Sequence, residues 1–151
     1  MFARALLVAS LMWPMLLAAA WWSEESGHAL WLGRGVYTTC GRICHQKPER
    51  SFHTAGVQWP VCGRCAGLYL AAPFGAAAAL AVTRRRVPSR AWFLAAALPT
   101  AATLVMEFLF GMPMTSLARA LAALPLGAAV TWFMMAAIRS EPARSSKLTS
   151  A

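Results

Sequence analysis

Four apolar blocks, roughly 2–22, 62–82, 91–110 and 117–138, decide what this chain can become. Each is long and uncharged enough to cross a bilayer, which takes about 20 apolar residues in a helix. Inside lipid no water is available to the backbone, so such segments fold as helices that satisfy their own polar groups. The 151 residues leave room for one domain. The reading is an all-α membrane protein: four transmembrane helices in a single multi-pass unit over 1–138, a Cys/His-containing loop at 23–61 between the first and second spans, and a disordered polar tail at 139–151. Each block carries one proline, Pro14, Pro73, Pro99 or Pro125, read as a tolerated kink. The first block, with Arg4, an apolar run and the small residues Ala18 and Ala20, fits a cleaved secretory signal as well as a retained helix.

A formal charge of +9 suggests nucleic acid in a soluble protein, but here 59% of the residues are hydrophobic and the cations sit at the ends of the apolar blocks. Arg84, Arg85, Arg86 and Arg90 fill the link between the second and third blocks, and Arg139, Arg144 and Lys147 follow the fourth. Basic residues so placed set membrane orientation and meet anionic headgroups. The expected partner is therefore the lipid bilayer and not nucleic acid. The alanine- and glycine-rich blocks also suit close helix packing, within the bundle, against a second copy or against other membrane proteins. Short loops rich in Lys and Arg stay cytoplasmic, which places the cysteine loop on the extracytoplasmic side of an inner membrane.

That loop concentrates the chemistry. Cys40 and Cys44 are spaced C-x3-C, and Cys62 and Cys65 C-x2-C. Two chelating turns of soft ligands can hold one tetrahedral metal, zinc above all, with His45 or His53 able to replace a cysteine. The same residues can run thiol-disulfide exchange: Cys62 and Cys65 stand where the second span begins, and a helix amino terminus beside Arg64 lowers a thiol pKa. Cys40 and Cys44 would then be the second pair. This layout resembles quinone-linked disulfide-forming membrane enzymes in arrangement, with a quinone as the alternative cofactor. Inert structural cysteines in an accessory subunit of a larger membrane complex are the third reading. Glu107, near the outer end of the third span, is expensive in hydrocarbon and is expected to pair with Arg119, stapling the helices or supporting the cysteine site. Arg50 is a candidate clamp for a carboxylate or phosphate, and His28 reads as a solvated residue. Hydrolase and nucleotide-binding motifs are absent, and no catalytic residue is assigned.

Cys44-His45-Gln46, Pro48 to Phe52, Gly56, Pro60-Val61-Cys62, Arg64-Cys65 and Gly67-Leu68-Tyr69 together resemble the signature of the small membrane proteins termed domain of unknown function 2085. The resemblance extends more faintly to Glu107, where that pattern usually has Asp, and to Arg119 and Gly127. It implies a multi-pass prokaryotic membrane protein and no particular activity. Its recurring ligand set corresponds to Cys44, His45, Cys62 and Cys65, with Cys40 outside it. Glu107 in place of Asp, and the lack of an Asn before Arg119, are departures from the pattern.

Overall fold

A computed structural model describes residues 2–82 and 89–148, with side chains described as far as 139. Four helices in it are long and apolar enough to cross a membrane: α1 (Phe2–Ser26), α3 (Gly63–Ala81), α4 (Arg90–Phe108) and α5 (Ser116–Leu148), the last apolar over Ser116–Arg139. They coincide with the four apolar blocks, α1 running on beyond the expected end at Trp22. The backbone of α5 stays helical through the polar segment from 139 to Leu148. The arginines at 84–86 lie outside the described residues.

The spine of the bundle is α3 against α5. Gly63, Gly67, Ala71 and Gly75 recur every four residues and so form one smooth stripe along α3. A Cβ on Gly67 would stand 2.1 Å from the Ala120 carbonyl oxygen, and one on Gly75 2.1 Å from that of Ala128. From the other side, a Cβ on Gly127 would stand 2.4 Å from the Leu68 oxygen. The two backbones touch, as expected where helices in lipid associate through small residues. Helix α4 leans on α5 more loosely, held by Thr100 Oγ1 donating to the Ala122 carbonyl at 2.9 Å. A groove of about 830 Å³ opens between the helices, with Pro99 and Pro125 both in its lining. The broad apolar faces of α1 and α4, including Met15, Trp92 and Leu98, are exposed to the bilayer.

The segment expected to be a loop at 23–61 is largely ordered. It contains helix α2 (Leu30–Ile43) and an antiparallel hairpin, β1 (Ser51–Thr54) with β2 (Val57–Cys62). Gly27 and Ala29, both at positive φ, turn the chain at the top of α1. Helix α2 then descends beside α1 with Gly33, Val36 and Cys40 buried. The hairpin turns at Ala55 and Gly56, φ 51° and 77°, a pair of left-handed residues that matches the twist of the flanking strands. Trp21 fastens the hairpin to α1: its ring stacks on Trp59 with centroids 5.8 Å apart, and its Nε1 donates to the Thr54 carbonyl. Leu17 and Ala20 of α1, Val36 and Cys40 of α2, Val61 of β2 and Ala66 of α3 close the core beneath this cap.

Candidate metal centre

Each cysteine of the site ends or begins an element. Cys44 caps the last turn of α2, its N–H donating to the Cys40 carbonyl at 2.8 Å. Cys62 is the last residue of β2 and the N-cap of α3, and Cys65 lies in the first turn of that helix. The Sγ atoms of Cys44, Cys62 and Cys65 all lie within 4.8 Å of one another. Four sulfurs bound tetrahedrally at about 2.3 Å stand roughly 3.8 Å apart, so a metal could draw these three in by rotamer adjustment alone. Cys44 is buried, whereas Cys62 and Cys65 are half-buried, and all are free thiols.

Backbone amides point at the sulfurs. The Cys62 N–H donates to Cys44 Sγ at 3.3 Å. The Cys62 sulfur accepts hydrogen bonds from the Cys65 thiol and from the N–H groups of Cys65 and Arg64. The Cys65 thiol first, helped by those amides against the cost of burial, pulls the Cys62 pKa from 9.0 down to about 5. Burial, then the nearby Cys44, pushes the Cys40 thiol up.

Cys40 and His45, both candidate ligands from the sequence, are not in the group. Cys40 is fully buried one turn before Cys44, in the apolar core with Leu17, Ala20 and Val61. His45 is exposed. Cys44 has extended backbone, φ −136° and ψ 135°, and successive side chains of an extended chain leave on opposite sides. His45 is therefore directed away from the sulfurs by the same backbone that aims Cys44 toward them. His53, on β1, is exposed as well. The geometry groups Cys44 with the two C-x2-C cysteines.

Gln46 holds Cys44 in place. At φ 45° it turns the chain beyond the cysteine, and its Nε2 donates to the Tyr37 carbonyl at 2.9 Å and the Pro60 carbonyl at 2.7 Å, tying α2 to β2. Its own carbonyl accepts from Gln58 Nε2 at 2.6 Å, and the Tyr37 hydroxyl donates to the Gln58 carbonyl. Sequence reasoning gave Gln46 no role beyond its place in the signature and passed over Gln58 and Tyr37. The only signal for Gln46 was its place directly after Cys44-His45.

Glu107 pairs with Arg119, as expected, and also with Arg64. Arg119 approaches Oε1 with Nε at 2.6 Å and Nη2 at 2.5 Å, and Arg64 Nη2 donates to Oε2. All three side chains are largely buried. Arg119 Nη1 also reaches the Glu49 carbonyl at 3.2 Å, and Ser116 Oγ donates to the Ser51 carbonyl at 3.0 Å. One carboxylate thus joins α3, α4 and α5, and the arginine it holds grips the turn between Cys44 and β1. Arg50 lies over the Phe108 ring, 5.8 Å from its centroid, a cation–π contact.

Four apolar helices under a small cap that converges three thiols define a multi-pass membrane protein with a possible cysteine metal site. The chain belongs to the family described as predicted membrane protein (DUF2085), whose model matches residues 44–133. That range begins at the first cysteine of the group, includes Glu107 and Arg119, and leaves out Cys40. An uncharacterized protein of Methanothermobacter thermautotrophicus is 60% identical over 30 residues, 20% of this chain and 27% of its own length. The uncharacterized protein MJ1492 of Methanocaldococcus jannaschii is 38% identical over 50 residues, 33% of this chain and 32% of its own. The chain thus spans a third or less of the curated relatives it matches. No solved structure matches.

Proposed function

We propose that this protein holds a transition-metal ion through Cys44, Cys62 and Cys65, on the extracytoplasmic side of a prokaryotic inner membrane. The observation that carries the reading is the convergence of three sulfurs from two distant turns within 4.8 Å, with backbone amides aimed at them. Those amides stabilise thiolate, the form that binds metal. Zinc suits the set because it accepts thiolates and imposes no geometry of its own. Arg64, Glu107 and Arg119 act as the brace beneath the site: they fix the first turn of α3 and the turn after Cys44 to the rest of the bundle. The side of the membrane rests on Arg4 and the arginines at 84–86, which mark the opposite ends of the spans as cytoplasmic. Elemental analysis of protein purified in detergent tests the reading. One zinc per chain in the wild type, lost from Cys44→Ser and Cys65→Ser, is expected; metal-free protein that binds no added zinc would overturn it.

One observation favours a second reading. Cys62 sits at the helix amino terminus with its pKa drawn down to about 5, as an exchanging thiolate needs. In that case Cys62 sulfur attacks a client disulfide, one client sulfur leaves as thiolate, and Cys65 then displaces the other. The client is reduced, and the Cys62–Cys65 disulfide is reduced again by a donor such as a quinol. The reverse flow oxidises the client and reduces a quinone. Cys65→Ser would then accumulate mixed disulfides with clients, which the metal reading does not predict.

A further inference from the structure

We infer that the metal held by Cys44, Cys62 and Cys65 takes its fourth ligand from outside this chain: a neutral donor, water at rest, exchangeable for an imidazole from the aqueous side. The inference rests on the metal reading above and adds the class of ligand that the site recruits.

The argument begins with the donors the chain can offer. Zinc closes a structural site with four protein ligands and keeps a position for water or substrate where the protein supplies three. Among the described residues three donors converge here, and each nearby candidate for a fourth is held elsewhere by packing or backbone. Cys40 is fully buried among Leu17, Ala20, Val36, Val61 and Ala66. It lies in the α2 turn whose last hydrogen bond, from the Cys44 N–H to the Cys40 carbonyl, also positions Cys44. Drawing its sulfur out would empty a packed site and loosen that turn. His45 is exposed and outside the converging group, next to a turn that Gln46 fixes with two side-chain hydrogen bonds.

Access points the same way. Cys44 is buried, but Cys62 and Cys65 are each only partly buried, so an incoming donor can approach across them. Charge selects the kind of donor. Three thiolates and a divalent ion sum to one negative charge, and an anionic fourth ligand would make it two at a site whose third sulfur is out of water. Burying unpaired charge is costly, and a neutral donor avoids that cost.

The test uses full-length protein in detergent, loaded with Co2+, whose visible bands report its ligands. Imidazole is expected to shift those bands saturably, in wild type and equally in His45→Ala and Cys40→Ala, at one Co2+ per chain throughout; azide at the same concentration is expected to shift them at least tenfold less. Bands indifferent to imidazole would overturn the inference while leaving the metal reading standing, as would a response gained only in His45→Ala or Cys40→Ala. Equal responses to azide and imidazole would overturn the choice of a neutral donor. Failure to bind Co2+ would overturn the metal reading, and the inference with it.

Discussion

Gln46 anchors the turn that follows Cys44 and His45. Its positive φ and its bonds to the Tyr37 and Pro60 carbonyls fix the turn just beyond buried Cys44 and exposed His45. Gln46→Ala leaves two partly buried carbonyls without that donor, at a cost of about 1–3 kcal/mol. The expected result is a lower thermal midpoint and weaker zinc retention against a chelator, with His45→Ala unaffected in both. Cys62 supplies a pH dependence. Its pKa falls from 9.0 to about 5 on folding. A depressed folded-state pKa adds stability that is complete above the unfolded value, and is lost as pH falls through the folded one. Metal-free protein should therefore lose thermal stability as pH drops from about 9 to about 5, and Cys62→Ser should flatten that slope. At this scale the sequence was partly legible. Cysteine spacing announces chelation, but which sulfurs meet depends on where α2 stops. His45 is exposed and outside the sulfur group, a placement that adjacency to Cys44 in sequence does not reveal.

Helices α3 and α5 stand or fall with Gly67 and Gly75. Gly67→Val would press a branched side chain into the Ala120 carbonyl, where overpacking costs about 1–3 kcal/mol and more if the backbones must part. Its expected signature is a loss of folded, monodisperse protein in detergent, against little change for Gly35→Ala, whose Cβ would meet nothing within 4 Å. The carboxylate brace makes a second prediction. Glu107→Gln leaves two buried guanidinium groups facing a neutral amide, and breaking a buried ion pair costs about 3–5 kcal/mol. Glu107→Asp should recover much of that in a thermal melt. The spans were readable because hydrocarbon demands long apolar runs, whereas α2 and the hairpin were not. Gly33, Gly35, Gly41, Thr38 and Thr39 give α2 poor intrinsic helix propensity, and only its packing on α1 overrides that. The Ala55-Gly56 turn lacks the Asn or Asp that usually announces a hairpin.

Taken whole, the molecule is a bundle whose aqueous chemistry sits at one end. A cysteine introduced at Thr38, in a background lacking the native thiols, should react with a membrane-impermeant maleimide in intact cells. One at Ser89 should react only after lysis; the opposite pattern would invert the assigned orientation. The grip of Arg119 and Ser116 on the turn at Glu49 and Ser51 bears on how the protein is made. The sulfurs emerge from the ribosome well before the residues that brace them. A nascent chain can close the Gln46 contacts to Tyr37 and Pro60 early, but the turn at Glu49 and Ser51 gains its grip only when α5 has been made. Synthesis of α5 thereby comes before the last of the contacts that hold the cysteine-bearing turn against the bundle.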